Sequence, residues 1–327
     1  MIKIKVGVQY PHGACSYYRS MGPFSKLHKL NSKIDVQKID EIEWHAIADT
    51  DILYLERPAG PEFLAACRIA KDFNVKLWVD YDDNLFDIPE YNPCHDTFNL
   101  DVKKIIAQCV QLADIVTVAT PELKNVYSNY NDNVVVIENA FNDYNFILPD
   151  EPSREEALLW RGSQTHRQDL LGVAEQVFKL AKEYPEWGWC FVGNDLWYMT
   201  DGIDKHYNQK ELPVLKYFKF IKNTNPAIQF VPLQFNRFNV GKSNIAWIEG
   251  TYAGATCIGP DLPEWKRPGL IRYRDAKEFY VNLDSLIKDG RKRKDNFELS
   301  KYYIMDNLYL SKINLKRITV IERLLDV

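Results

Sequence analysis

The stretch Phe235-Asn-Arg-Phe-Asn-Val-Gly-Lys-Ser-Asn-Ile-Ala-Trp-Ile-Glu-Gly-Thr-Tyr-Ala-Gly-Ala-Thr-Cys-Ile-Gly-Pro-Asp261 governs how the rest of the chain is read. A polar loop ends in Gly241-Lys242-Ser243, and Ser243 or Asn244 is placed to cap a helix. The helix carries Ile245, Ile248, Glu249 and Tyr252 and stops at Gly254, a residue suited to closing a last turn. A short apolar strand, Ala255-Thr-Cys-Ile258, follows and is closed by Gly259-Pro260-Asp261. Loop, helix N-terminus and strand together make a good anion holder. Free backbone N–H groups and the helix dipole point at the anion, and Lys242 adds a full charge. Further along the helix, Glu249 offers a carboxylate to sugar hydroxyls. The plainer reading of the same residues is one αβ unit of an open sheet with Glu249 on a solvated face.

Outward from this stretch, strand and helix signals alternate. In the first half, apolar β-branched runs occur at Ile2–Val8, Asp51–Leu55, Lys76–Val79, Asp114–Ala119 and Val134–Ile137. Helical periodicity lies between them at Pro61–Phe73 and Leu100–Ala113. Short buried-type strands separated by helices predict a parallel sheet covered on both faces. Ligands of such sheets gather at the carboxyl ends of the strands, so the loops after each run are the informative ones. After the first run comes Gln9-Tyr-Pro-His-Gly-Ala-Cys-Ser-Tyr-Tyr-Arg19, which is not a dinucleotide fingerprint. After another comes Trp78-Val-Asp-Tyr-Asp-Asp-Asn-Leu-Phe-Asp-Ile-Pro89, where Asp80, Asp82 and Asp83 crowd a strand end. Like charges so close raise one another's pKa or share a cation. His95, in Pro93-Cys94-His95-Asp96, is a second acid–base candidate. A polar, Pro-bearing hinge spans Asn142–Arg154, and the pattern then restarts with Ala157-Leu-Leu-Trp-Arg-Gly-Ser-Gln-Thr-His-Arg-Gln-Asp-Leu-Leu171. Trp187–Gly193 and Ala227–Pro232 are the next strands, and Ser311–Leu325 is a terminal amphipathic helix.

Composition sets the outer limits. The 327 residues suit two domains of about 150. A hydrophobic fraction of 46% with 26% charged residues is that of an ordinary globular chain. A net charge of −4 gives the molecule as a whole no reason to coat itself in nucleic acid, so such binding needs a local patch. Basic residues thicken late in the chain, at Lys266, Arg267, Arg272, Arg274, Arg291, Lys292, Arg293 and Lys294, as a solvated surface or a phosphate-tracking patch. Six cysteines without a Cys-x-x-Cys pair argue against structural zinc and against a disulfide framework. The N-terminus runs straight into a strand, and no stretch nears the ~18 apolar residues of a membrane helix. The chain therefore reads as cytosolic and reduced.

Lys-Ser-Asn-Ile-x-Trp-x-Glu followed by Ala-Gly-Ala, at 242–255, resembles the nucleotide-sugar motif in the C-terminal half of GT-B glycosyltransferases. The likeness is greatest to the retaining group that includes glycogen synthases and phage-encoded members. The resemblance implies two Rossmann-like β/α/β domains facing across a cleft: 1–145 on the acceptor side, 146–308 on the donor side, and a helix at 309–327 crossing back to the first domain. It also implies sugar transfer from a nucleoside-diphosphate sugar, with a UDP-sugar as the leading co-substrate, to a hydroxyl, with no tightly bound cofactor and no metal. Arg161 and His166 fall at the positions that clamp the donor diphosphate, with Lys242, Ser243 and Asn244 at the helix start. Glu249 falls where a carboxylate grips the ribose, and Gly13 and Arg19 fall in the N-terminal sugar loop. Gly193-Asn-Asp resembles the loop near the donor base. Asp82 or Asp83 is the candidate to orient or deprotonate the acceptor hydroxyl.

Two departures stand out. His166 replaces a lysine, and the position of the family's other glutamate, counted back from Glu249, holds Gly241. The phage likeness points to a hydroxymethylated base in DNA as acceptor, with a protein or polysaccharide as the alternative. Readings from other classes are a metal-dependent transferase built on Asp80 and Asp82, a sugar-nucleotide epimerase of the same fold, and a non-catalytic nucleotide binder.

Overall fold

The computed structural model of the protein describes residues 1–8, 13–39, 46–193 and 197–326. Strands β1 (Ile2–Gly7), β2 (Ile34–Ile39), β3 (Ile52–Glu56), β4 (Lys76–Tyr81), β5 (Ile115–Val118) and β6 (Val134–Val136) form one parallel sheet in the order β2-β1-β3-β4-β5-β6. Strands β7 (Glu155–Arg161), β8 (Gly188–Val192), β9 (His206–Gln209), β10 (Pro226–Phe230), β11 (Thr256–Pro260) and β12 (Ile271–Tyr273) form a second, in the order β12-β11-β10-β7-β8-β9. The two α/β halves expected from the sequence are thus present.

Every residue of β3, β10 and β11 is buried, as strands with helices on both faces require. The edges differ. β9, His-Tyr-Asn-Gln, is almost wholly exposed, and β2 has a polar middle. Polar residues on an edge strand discourage pairing with another chain, and they also leave no apolar run in the sequence.

In each sheet the chain order reverses once, between β1 and β3 in the first and between β7 and β10 in the second. At such a switch point the loops leave in opposite directions and open a crevice at the carboxyl ends.

The junction of the halves is aromatic. Phe146, from the hinge stretch, stacks on Phe218 with ring centroids 4.7 Å apart, and both meet Tyr252. Tyr17 reaches Phe218 from the N-terminal half at 5.5 Å. The helix Leu310–Leu325 then returns to the first half. It starts after a backbone exchange in which Phe141 N–H donates to Leu308 and Leu310 N–H donates to Phe141, both at 2.8 Å. Ile313, Val320, Ile321 and Leu324 join the cluster that holds Ile4, Val6 and Phe24. Asn314 Nδ2 donates to the Pro23 carbonyl at 3.0 Å.

Candidate functional site

The two switch points share one cavity of about 350 Å³. Tyr18 follows β1, Arg57 follows β3, Arg161 ends β7, His166 follows it, and Leu233 follows β10; all of them line it. Asp82, Asp83, Lys242, Ser243 and Glu249 complete the set of expected site residues that the fold brings together here.

Glu249 is buried in the helix Ile245–Ala253, which is enclosed along almost its whole length. That explains why the helix is apolar all round, and it corrects the reading of a solvated face. A buried carboxylate needs partners. Tyr18 Oη donates to Oε1 at 2.6 Å and Tyr217 Oη to Oε2 at 3.0 Å. Arg161 Nε lies 2.7 Å from Oε2. Its N–H does not aim at that oxygen, and no other acceptor takes it among the described residues. Burial lowers the guanidinium's pKa, but the charge and hydrogen bond of Glu249, together with Tyr217 and Tyr18, overcome it and hold the pKa above its usual value.

The helix start differs from expectation. Asn244 occupies the cap position, but its side chain makes no capping bond. Its Nδ2 turns instead to the Glu264 carbonyl at 3.1 Å and to Glu264 Oε1 at 3.3 Å, so Asn244 serves the framework rather than the cavity. Ser243 Oγ accepts from Asn139 Nδ2 at 2.9 Å. Without a side-chain cap, the first N–H groups of the helix, those of Ile245 and Ala246, are left for another acceptor, and both residues line the cavity.

In the acidic loop, Asp80 has an arginine to itself, whereas Asp82 and Asp83 share a cation, one of the two arrangements their crowding allowed. Asp80 is buried and takes a bidentate pair from Arg19, Nε at 2.9 Å and Nη2 at 2.7 Å, with Thr117 Oγ1 donating at 2.5 Å. Arg57 bridges Asp82 through Nε and Asp83 through Nη2, while Lys242 Nζ meets Asp83 Oδ1 at 2.7 Å. Burial raises the pKa of Asp83, but Lys242 and Arg57 overcome it and hold the carboxyl below its ordinary range. With both Asp80 oxygens taken, Asp80 and Asp82 do not present a joint metal-binding pair. Among the described residues no group of His, Cys, Asp and Glu is arranged to hold a metal ion.

Three expected residues stand apart. Arg19 is fully buried and also donates to the Ile137 carbonyl and Asn139 Oδ1, at 2.5 and 3.1 Å. It braces strand ends and has no face on the cavity. His95 gives Nδ1 to the Ile88 carbonyl at 2.8 Å; Cys94 and Phe98 line the cavity, and His95 does not. Gly13 precedes the helix Ala14–Arg19 with an extended φ of −75°, which any residue adopts; Ala14 and Cys15 line the cavity in its place. Residues 9–12 of that loop, and Asn194 and Asp195 of the donor-base loop, lie outside the described residues.

His166 does line the cavity, and its Nδ1 is 2.9 Å from Asp169 Oδ2. Asp169 is buried, and its other oxygen accepts from Gln234 N–H at 2.8 Å and Asn239 Nδ2 at 2.9 Å. The sequence reading did not find Arg57, Tyr18, Tyr217 or the carboxylate role of Asp169. A positive φ of 47° at Arg57 has no sequence cue.

The late basic residues disperse into local contacts. Arg267 pairs with Glu264, Arg272 with Asp261, and Arg274 with Glu278. Arg291 reaches Asp295, and Lys294 reaches Glu151 and Glu298. Arg293 donates to the carbonyls of Leu286 and Ile287, and Lys292 to Ser285. Lys266 alone of this group is exposed with no side-chain partner found among the described residues.

Solved structures match this arrangement over the full chain. A glycosyltransferase from Rickettsia africae ESF-5 aligns with a TM-score of 0.68 at 14% identity, covering 99% of this chain and 98% of the other. A sucrose-phosphate synthase from Thermosynechococcus elongatus aligns at 0.69 and 10% identity, covering 100% of both. Anabaena HepE, in complex with UDP and glucose, aligns at 0.70 and 8% identity, covering 98% and 99%. The fold is GT-B. No sequence-family model matches the chain, and no curated protein does. Among the described residues no helix of this GT-B chain is long and apolar enough to cross a membrane.

Proposed function

We propose that this protein transfers a glycosyl group from a UDP-sugar to a hydroxyl acceptor. The observation that carries the reading is the convergence of Arg161, Lys242 and the uncapped start of the helix Ile245–Ala253 on one cavity, beside the buried Glu249. Breaking a glycosidic bond to a diphosphate builds negative charge on the leaving phosphate. Cations and helix N–H groups already aimed at that place stabilise the charge without reorganising. Arg161, with an unaligned Nε–H, and Lys242, shared with Asp83, are the groups free to turn to it. Glu249 takes the donor ribose by exchanging a tyrosine hydroxyl for a sugar hydroxyl. The choice of UDP is supported by the neighbour that holds UDP and glucose in the same fold.

Asp82 stands on the opposite wall as the group that orients the acceptor hydroxyl. Retention of configuration, with the departing phosphate taking the acceptor proton, follows the resemblance of 242–255 to retaining enzymes. For the acceptor, the local pairing of the late basic residues weighs against a phosphate track for DNA. A hydroxyl on a saccharide or protein is the acceptor class this reading favours.

The test is release of free nucleoside diphosphate from UDP-glucose, UDP-N-acetylglucosamine, GDP-mannose and ADP-glucose, with product analysis. Acceptors would be oligosaccharides, proteins and DNA containing 5-hydroxymethylcytosine, each with and without chelator. Chelator-resistant turnover lost in Arg161→Ala and Lys242→Ala supports the proposal. Conversion of the sugar to an epimer with no acceptor would reassign the protein to epimerisation. Turnover that needs a divalent ion and depends on Asp82 would overturn the metal-free donor site. Binding without consumption under every acceptor would leave a nucleotide-binding protein.

A further inference from the structure

His166 is where the donor reading meets a difficulty of charge. Its Nδ1 faces Asp169 Oδ2 at 2.9 Å, and a carboxylate only accepts, so Nδ1 carries the hydrogen. Asp169 is locked in that role, since Gln234 N–H and Asn239 Nδ2 both donate to its other oxygen. In the neutral ring, the nitrogen left for the cavity, Nε2, is then a bare lone pair. A lone pair facing phosphate oxygens repels them, whereas the lysine expected there would attract them.

The charged groups around the ring come from three elements. Asp169 lies on the short helix Arg167–Leu171, Arg161 ends β7, and Lys242 precedes the helix Ile245–Ala253. Desolvation in the cleft lowers the pKa of His166; the hydrogen bond to Asp169 and that residue's charge oppose this, while the charges of Lys242 and Arg161 add to it. Without a bound anion, His166 is therefore a neutral imidazole at neutral pH. An anion seated between Arg161 and Lys242 reverses the balance, because it cancels the two repelling charges and adds an attracting one.

We propose that binding of the nucleoside-diphosphate sugar takes up one proton at His166 Nε2, making the ring a cation held between Asp169 and the diphosphate. The inference rests on the donor reading above. The proton comes from solvent, and no bond of the sugar nucleotide is made or broken in this step. His166 thereby supplies, only when the ligand is present, the charge that a lysine would carry at all times.

The linkage has a definite sign. The complex binds more protons than the free protein, so affinity is highest below the free pKa of His166. Above it, Kd rises about tenfold per pH unit until the pKa of the complex is passed. The probe is UDP-glucose, whose diphosphate is esterified at both ends, to uridine and to glucose, and does not titrate near neutrality. Titration calorimetry at pH 7.5 in two buffers of different ionisation enthalpy counts the protons taken up. The expected count is about one per UDP-glucose, falling to zero in His166→Gln, whose Kd no longer varies with pH. In wild-type protein, 15N shifts of His166 should move from the neutral to the imidazolium pattern on addition of UDP-glucose. Tight binding with no proton uptake, or uptake that survives in His166→Gln, would overturn this assignment and leave the donor site standing. No binding of UDP-glucose, GDP-mannose or ADP-glucose would overturn both.

Discussion

Lys242 is spoken for twice in this molecule, by Asp83 across the cleft and by any anion that enters it. Charge-assisted bonds of this kind contribute about 1.5–3 kcal/mol when made to a buried anion. Lys242→Ala should weaken UDP-glucose binding by roughly ten- to a hundredfold, read by calorimetry. Asp83→Asn should act the other way and tighten it several-fold, because the competitor loses its charge; equal affinity in Asp83→Asn would show that the pair does not compete with the donor. Glu56 makes a second residue-scale case. It is buried at the end of β3, accepts from Ser20 Oγ, and is pushed up to about 7, chiefly by burial, which outweighs the Ser20 bond, with the Asp82 and Asp80 charges adding to it. A carboxyl whose folded pKa is raised favours folding least when ionised, so its cost appears as pH climbs from about 4.5 to 7 and stays above that. Glu56→Gln should therefore raise stability by roughly 2–4 kcal/mol at pH 8 and change it little near pH 4.5. Urea melts at the two pH values check this. The sequence showed the carboxylates of Asp80, Asp82 and Asp83 but not their fates. Those depend on Arg19, from the helix Ala14–Arg19, and on Arg57, from the loop after β3 with a left-handed backbone that no residue type announces.

At the scale of elements, the tripeptide before the helix Ile245–Ala253 hooks onto three neighbouring loops of the other half. Gly241 accepts through its carbonyl from Thr120 Oγ1 at 3.0 Å, after β5. Lys242 meets Asp83 after β4, and Ser243 accepts from Asn139 after β6. A Cβ at Gly241 would lie 2.8 Å from Leu123 Cδ2 of the N-terminal half, so a side chain there needs the tip of Leu123 to move. The place where the resembled family often carries its other glutamate thus abuts the opposing half of the same chain. Inside the helix, a Cβ at Gly250 would run into Cys257 Sγ and Gln229, both fully enclosed. Gly250→Ala should cost about 1–3 kcal/mol through overpacking, against the usual gain of alanine in a helix; thermal melts should show a lower Tm, and an unchanged or higher Tm would mean that β11 yields easily. This helix was legible in outline, including its end at Gly254 with φ of 94°. Its cap was not. Which way Asn244 points is decided by Glu264 on a separate turn, a contact invisible to local pattern.

For the whole molecule, the alternation of apolar runs was enough to give two parallel sheets, because central strands covered on both faces read as largely apolar runs. Edge strands β2 and β9 escaped because solvent lets them be polar. The cavity's composition was legible wherever a motif carried it, as at Arg161, His166, Lys242 and Glu249. It was not legible for Tyr18, whose bond to Glu249 joins residues 231 apart in the chain. Closure of the cleft rests on that bond together with the hooks at 241–243, so Tyr18→Phe should weaken UDP-glucose binding several-fold while leaving the unfolding free energy from urea melts within about 1 kcal/mol of wild type. The terminal helix is a different kind of tie. Fully burying a side chain such as Ile313 or Ile321 is worth about 1.5–3 kcal/mol. A chain ending at Tyr309 should consequently bind a hydrophobic dye and lose its cooperative melt. A soluble truncated protein with a sharp transition would show that the N-terminal half is complete without the helix.

That return of the last helix has a consequence for how the protein comes into being. The first sheet is finished once Val136 leaves the ribosome, yet the surface around Pro23 and Phe24 waits for the far later residues of the helix Leu310–Leu325. At ordinary elongation rates the interval is roughly ten to forty seconds, during which the nascent N-terminal half presents an apolar flank with nothing of its own to cover it. The nascent chain thus carries an apolar flank open to other hydrophobic surfaces until the sixteen-residue helix Leu310–Leu325 arrives.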